Sequence, residues 1–438
     1  MTSSSTFKPT PKIDYDSLVL EDRVHGDIYT QPAIFDAEME RIFHRGWVYV
    51  GHESEIPARG DFQTRHIGRQ PVIYIRGDDG EVRVLMNRCT HRAAIVCPHE
   101  QGNAKRFTCP YHGWSFHNSG ALLATPHGER YNDDFRKQDF GLRAAPRVAS
   151  YRGLTFASLA ENGISLDEHL GPLAKAEIDI AFDVSPLGKI EVSGGTHKYG
   201  YDGNWKLQVE NSADGYHLGY LHRSFLQIQA ERFKSKTPDF SDLSPFRLKS
   251  LGNGHVCWQA EMAARRYAPG VTLSPTQQTY ADAIIAAHGE DYGRQLLHRS
   301  GPHVVIFPNL VFIQSHIRII RPISVDRTEV FLYPYRLEGV DDEINTGRFM
   351  YHQSFYGPAG GGASDDLEVF ERITKGLRAT VDPWIHIQRG LGREQYEEDG
   401  SVTGQFTDEL NNRAILHHWR RLMNAEDLAV TPLRTAIA

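Results

Sequence analysis

The sequence predicts an α+β protein of two units: a small all-β unit, then a larger unit whose antiparallel sheet is flanked by helices. Three observations predict it. From Trp47 to about Arg152 the apolar residues fall in short β-branched runs separated by turn residues. After Gly153 longer β-like runs alternate with helical patterns, never as short βαβ units, which disfavours a doubly wound parallel sheet. A length of 438 residues suits two or three domains of roughly 150 residues each. The expected division is 1–45 for an N-terminal tail and helix packed on the larger unit, 46–155 for the β unit and 156–438 for the larger unit.

The start, MTSSSTFKPTPK, reads as a flexible tail. It has no charged stretch followed by an apolar one, so no secretory signal is expected. No later run approaches the ~18 apolar residues of a membrane span. A cytoplasmic, reducing setting follows. Residues 31–43 read as a helix: Pro32 suits its first turn, and Phe35, Met39, Ile42 and Phe43 share one face. Residues 72–76 and 82–86 are β-branched strands around the turn Gly77-Asp78-Asp79-Gly80, and Asn118-Ser119-Gly120 marks another turn. In the larger unit, strands are predicted over 190–201, 246–261, 303–307, 311–320 and 329–335. Helices are predicted over 277–297, 341–355, 365–377 and 409–423. Gly360-Gly361-Gly362 does not follow a strand in a phosphate-binding frame, so it predicts no nucleotide site.

Composition excludes several classes. Apolar residues make up 40% and charged residues 24%, an ordinary soluble globular balance. The charge, 48 − 55 = −7, makes nucleic acid a poor partner, because such binding needs Lys and Arg against phosphate. It also argues against an anionic membrane surface. Four cysteines rule out a disulfide scaffold; twenty-two histidines leave metal chemistry open.

The first constellation is Cys89-Thr90-His91, seventeen residues, then Cys109-Pro110-Tyr111-His112. One tetrahedral zinc ion would take all four ligands. A Rieske [2Fe-2S] cluster would take both thiolates on one iron and both imidazoles on the other. Zinc-finger arms pair like with like, whereas each arm here is mixed, as two loops straddling a two-iron cluster require. The double signature resembles a Rieske domain. In that family a glycine usually follows the Arg after the first histidine; here the run is Arg92-Ala93-Ala94, and a small local shift without loss of ligation is expected. Cys97 and Cys257 lie outside the pattern and read as core residues.

The second constellation is Glu210-Asn211-Ser212-Ala213-Asp214-Gly215-Tyr216-His217, with His222 five residues on. In one ideal helix two such histidines lie about 140° apart, so a break near Gly219 is expected to bring them together. Two imidazoles and a carboxylate form the facial triad of non-haem Fe(II). Taken alone, such a pair is more often structural. After a Rieske signature, this order resembles the large (alpha) subunit of Rieske non-haem iron ring-hydroxylating oxygenases, closest to the benzoate-type branch that acts on aromatic carboxylates. The likeness runs from about Leu20 to about Met423.

The resemblance implies a catalytic domain of helix-grip type. It makes His217 and His222 iron ligands, with the second Asp of a pair opening a downstream helix as the third. That selects Asp366, with Asp365 the alternative; Ser364 or Asp365 is also a natural helix cap. Asp214 becomes the electron-transfer bridge between His217 and His112 of a neighbouring subunit. Asn211 is placed beside the iron as a non-ligand, and Glu210 on the same polar path. The implied cofactors are the [2Fe-2S] cluster, mononuclear Fe(II) and O2 as co-substrate. NADH or NADPH acts only through a partner reductase or ferredoxin. The implied product is a cis-dihydrodiol, and the implied assembly is a trimer of alpha subunits with a small beta subunit, α3β3. A monooxygenase or demethylase of alpha-only trimers is the nearest alternative. A Rieske electron carrier or a zinc-stabilised binding protein would leave residues 154–438 unexplained. For the substrate pocket, Arg318 on an alternating strand offers a bidentate grip for a carboxylate if it faces the cavity. Phe307, Phe312, Ile313 and Phe355 are apolar candidates that equally suit a plain core.

Overall fold

The computed structural model describes residues 13–232, 246–260, 267, 270–299, 301–358 and 360–425. The N-terminal segment forms the helix Pro32–Glu38, which continues as a wider π-type turn over Met39–His44. Phe35, Met39, Ile42 and Phe43 are buried as their spacing requires. Glu38, also wholly buried, accepts hydrogen bonds from Trp205 Nε1 (2.8 Å) and Trp419 Nε1 (2.7 Å), and pairs with Lys206 Nζ at 2.5 Å. One carboxylate therefore ties the N-terminal helix to two helices of the larger unit.

The β unit contains three small antiparallel sheets. The first is ordered Val82–Met86, Gln70–Arg76, Asp61–Ile67, Gln101–Asn103, and the second Arg106–Thr108, Ser115–His117, Leu122–Ala124. Arg76 pairs with Val82 across the expected hairpin, and Gly80 takes the left-handed conformation (φ +90°) that the turn needs. The third sheet places Leu154–Ser158 between Arg147–Tyr151 and Val48–His52. The unit therefore runs to Ser158, and the expected boundary at 155 falls inside a strand.

The larger unit is built on a nine-stranded antiparallel sheet, ordered His197–Tyr201, Arg327–Pro334, His316–Ser324, Leu310–Ile313, His303–Ile306, His255–Ala260, Phe246–Gly252, Val402–Gln405, Gln395–Tyr396. Alternation along the strands divides its two faces. Val304, Ile306, Leu310, Phe312, Ile317 and Ile319 pack with the helix Leu166–Asp183. Val305, Val311, Ile313, Ile320 and Leu332 pack with Trp205, Val209 and Ala213 of the helix Trp205–Ala213, and with Trp419 of Leu410–Asn424. Among the described residues no helix is long and apolar enough to cross a membrane.

Several predicted elements divide. Of the run 246–261, residues 246–260 form a hairpin turning through Gly252, Asn253 and Gly254, all at positive φ, and residue 261 lies outside the described residues. The run 311–320 turns at Gln314 (φ +51°), a residue with no turn preference to reveal it. Helix 277–297 is two helices, Pro275–His288 and Glu290–His298, separated by Gly289 (φ +81°). The helix Leu166–Asp183 has no continuous helical period in the sequence: Gly171-Pro172 interrupts its pattern, although the Ser165–Glu168 capping box announces its start.

Candidate functional site

The two loops of the β unit that carry Cys89, His91, Cys109 and His112 share one backbone pattern. The N–H of Cys89 donates to the Ala94 carbonyl (2.8 Å) and that of Ala93 to the Cys89 carbonyl (2.9 Å). The N–H of Cys109 donates to Trp114 (2.8 Å) and that of Gly113 to Cys109 (3.0 Å). Ala93 and Gly113 thus occupy equivalent positions, and both have left-handed φ, +65° and +72°. This is why glycine is the usual residue there: an L side chain in that region costs about 1–2 kcal/mol. Cys89 and Cys109 are buried, and burial, then the facing Cys109 thiol, pushes the Cys89 thiol up. The His91 and His112 rings lie 4.7 Å apart; His91 stacks on Trp114 (4.9 Å, 4°) and its Nδ1 is buried without a partner. The thiols face each other and the imidazoles face each other, but no three of the four ligand atoms converge on one point. That arrangement fits a two-iron cluster and does not fit a single zinc ion. Cys97 is a core residue whose backbone is pinned by Asn87, and Cys257 is buried in the large sheet.

The second site grows from the end of Trp205–Ala213. Asn204 caps this helix, and Asp214 leaves it with extended backbone (ψ 123°). The chain then forms a single short turn, Leu218–Leu221, flanked by His217 and His222, before a new helix, Arg223–Arg232. The breaks therefore fall at 214–216 and at His222, not at Gly219, which sits inside the short turn. They bring the two imidazoles to 5.3 Å. Asp366 arrives from the first turn of Ala363–Gly376, whose N-cap is Gly362 rather than Ser364 or Asp365. Its Oδ1 lies 3.4 Å from His222 Nε2 and 3.8 Å from His217 Nε2. His217, His222 and Asp366 are the one group among the described residues whose three ligand atoms all lie within 4.8 Å. Asp365 stands behind His222, with Oδ2 3.6 Å from Nδ1. Asn211 Nδ2 donates to Asp366 Oδ1 (3.0 Å) and reaches His217 Nε2 at 3.4 Å. Two imidazoles and one carboxylate are the donor set of a facial triad.

Asp214 holds His217 from the other side: Oδ2 lies 3.1 Å from Nδ1, while Oδ1 accepts the Tyr216 N–H (2.6 Å). Burial lowers the His217 pKa, but Asp214 and Asp366 outweigh it and raise it. Glu210 turns away towards the N-terminal helix, accepting from Tyr29 Oη at 2.9 Å; burial pushes it up to about 7.

A family described as the Rieske [2Fe-2S] domain matches residues 46–151, and one described as the ring hydroxylating alpha subunit (catalytic domain) matches residues 190–425. This chain belongs to the ring-hydroxylating alpha-subunit family. It is 36% identical over 375 residues to the 2-halobenzoate 1,2-dioxygenase large subunit of Burkholderia cepacia, covering 84% of this chain and 80% of that protein. It is 34% identical over 392 residues to the anthranilate 1,2-dioxygenase large subunit of Acinetobacter baylyi, covering 85% and 81%. The N,N-dimethyl phenylurea N-demethylase subunit alpha of Sphingobium sp. is 30% identical over 407 residues, covering 86% and 84%. Among solved structures, naphthalene 1,2-dioxygenase from Rhodococcus sp. bound to indole aligns with a TM-score of 0.79 at 30% identity, covering 92% of this chain and 95% of that one. The carrier-only and zinc-protein readings fall with these matches. As an alpha subunit of this family, the chain is an oxidoreductase carrying a Rieske cluster and mononuclear iron. It uses O2 and electrons delivered through a reductase or ferredoxin, within an oligomer of alpha subunits.

The interior face of this alpha subunit carries an unusual group. Arg318 is 2% exposed and donates Nη1 to Ser212 Oγ (2.9 Å). Its Nε is buried without a partner, and no Asp or Glu among the described residues pairs with it. His303, His316 and His352 stand near it, and burial, with Arg318 adding, lowers the pKa of each; His197 stacks on His352 and is lowered by burial. Arg318 therefore does face inward, towards the helix that ends at Asp214. Phe312 does not: it lies on the opposite sheet face against Phe182. Phe307 packs on Trp205 and His418, away from His217 and His222, because it follows the end of its strand. Phe355 touches His222 at 5.0 Å and Ile313 lies on the inward face. The histidines around Arg318 carry no spacing signal in the sequence; only the count of twenty-two histidines points to them.

Proposed function

We propose that this alpha subunit cis-dihydroxylates an aromatic carboxylate. The overall change is arene plus O2, two electrons and two protons to a cis-dihydrodiol. Cys89, His91, Cys109 and His112 hold the cluster; His217, His222 and Asp366 hold the iron. When bound, these groups supply one-electron transfer and O2 activation. Asn211 fixes the Asp366 carboxylate, and Asp214 orients His217 while reaching His112 of a second copy. Within the chain Asp214 and His112 make no contact among the described residues, which suits a bridge completed by assembly. An α3β3 oligomer is the proposed form.

The observation that carries the substrate class is Arg318. A buried guanidinium with no counter-charge costs several kcal/mol, and an incoming carboxylate removes that cost. The names of the benzoate-branch relatives agree. The test is a panel of benzoate, salicylate, phthalate and toluene, turned over by holoenzyme with a partner reductase, with products identified. Preferential conversion of acids supports the reading. Preference for toluene, or an Arg318→Gln variant that leaves benzoate kcat/KM unchanged, refutes it; the expected loss is about 30-fold or more, from about 2–5 kcal/mol for a truncated buried charge pair. The demethylase relative makes monooxygenation the second reading, and the same product analysis separates the two.

A further inference from the structure

His303 stands beside Arg318 with its tautomer fixed. Its Nε2 lies 2.6 Å from the backbone oxygen of Ser212. A carbonyl oxygen only accepts, so Nε2 carries the proton and Nδ1 presents a lone pair in the neutral ring. That Nδ1 is buried and has no partner. Arg318 is anchored on the same residue through Ser212 Oγ. Ser212 itself follows Asn211, which touches Asp366 and His217. The His303 ring is half-buried and lies on Trp258, with centroids 3.9 Å apart. A cation and an orphaned acceptor therefore stand side by side, both hung from the residue next to the iron-facing asparagine.

We infer that His303 Nδ1 accepts a hydrogen bond from an N–H or O–H ortho to the substrate's carboxylate, so that this enzyme prefers 2-amino- and 2-hydroxybenzoates. The inference rests on Arg318 as the carboxylate anchor. An unsatisfied buried acceptor costs about 1–3 kcal/mol; an ortho donor removes that cost, and an ortho methyl group cannot. His303 is a specificity-determining residue in this scheme and takes no part in the oxygen chemistry.

The test compares kcat/KM of the holoenzyme, with its reductase, for 2-aminobenzoate, the near-isosteric 2-methylbenzoate, benzoate and toluene. Wild type is expected to favour 2-aminobenzoate over 2-methylbenzoate by about tenfold, since 1.4 kcal/mol is a factor of ten. His303→Gln keeps a donor for the Ser212 carbonyl but loses the Nδ1 acceptor; its ratio is expected to fall to near one with 2-methylbenzoate turnover retained. His303→Asn places an oxygen where Nδ1 stands and is expected to keep the preference. A purely structural role would lower all four substrates alike in both variants. Equal use of 2-aminobenzoate and 2-methylbenzoate by wild type overturns the inference, and leaves the carboxylate reading standing if both acids exceed toluene. Preference for toluene overturns both. Should His303→Gln not accumulate as folded holoenzyme, the wild-type ratio decides.

Discussion

Glu38→Gln is the perturbation whose cost the structure fixes most closely. Glu38 is fully buried and receives Lys206, Trp205 and Trp419. Burial lowers the Lys206 pKa, and the Glu38 charge works against that lowering. A glutamine fills the same space but removes the counter-charge. Breaking a buried pair in this way costs about 3–5 kcal/mol. The upper end is set by Lys206's own escape, which is to lose its proton. Doing so at pH 7 instead of at about 10.4 costs about 4.6 kcal/mol, at about 1.36 kcal/mol per unit. The sign of the pH dependence follows. In the variant Lys206 is neutral when folded and protonated when unfolded, so the unfolded state binds one proton more. Stability then rises with pH, and the deficit against wild type shrinks by about 1.4 kcal/mol per unit between pH 7 and 9. Wild type, whose Lys206 stays charged against Glu38, lacks this slope. Urea unfolding at pH 7, 8 and 9, followed by tryptophan fluorescence, measures it. A variant as stable as wild type at pH 7, or a deficit that does not change with pH, would refute the reasoning. The double change Glu38→Gln with Lys206→Met is expected to recover most of the loss, because apolar replacement of both charges is often neutral.

Asp214→Ala should leave the visible Rieske spectrum intact while product formation falls by about 10–100-fold or more, the usual loss when a carboxylate behind a metal-binding histidine is removed; near-normal turnover would contradict the bridge. Asp366→Asn should lower iron from three to two per chain with the sulfide unchanged, read by metal and sulfide analysis, whereas Asp365→Asn should keep all three. Ala93→Gly should stabilise the β unit by about 1 kcal/mol, since it relieves a left-handed alanine and returns part of that gain as unfolded-state entropy; slower thermal bleaching of the cluster would register it.

The sheet class and the paired Cys/His arms were legible in the sequence because each is a local pattern: alternation for strands, fixed spacing for the arms. Asp366 was reachable only through the family likeness, because 144 positions separate it from His222 and only the fold brings them to 3.4 Å. The helix break was misplaced at Gly219 because glycine is the visible breaker, whereas the chain turns at Asp214 and His222. Phe312 stands among the pocket candidates, equally suited to a plain core, because strand parity cannot be counted across the hidden turn at Gln314. The Arg318 environment is long-range by nature, with histidines drawn from three separate segments.

The β unit enters on Val48–His52 and leaves on Leu154–Ser158, and these two strands pair, with His52 opposite Leu154. Its ends are therefore adjacent, and the chain on either side, the N-terminal helix and the larger unit, closes on itself through Glu38. Asn309 stitches the seam by bonding both the N–H and the carbonyl of Tyr49 at 3.0 Å. In engineering terms the electron-receiving unit is a cassette set into an otherwise continuous catalytic frame. Exchange at this seam, keeping Tyr49 and Asn309, offers a route to change which reductase is served without redrawing the sheet face that carries Arg318.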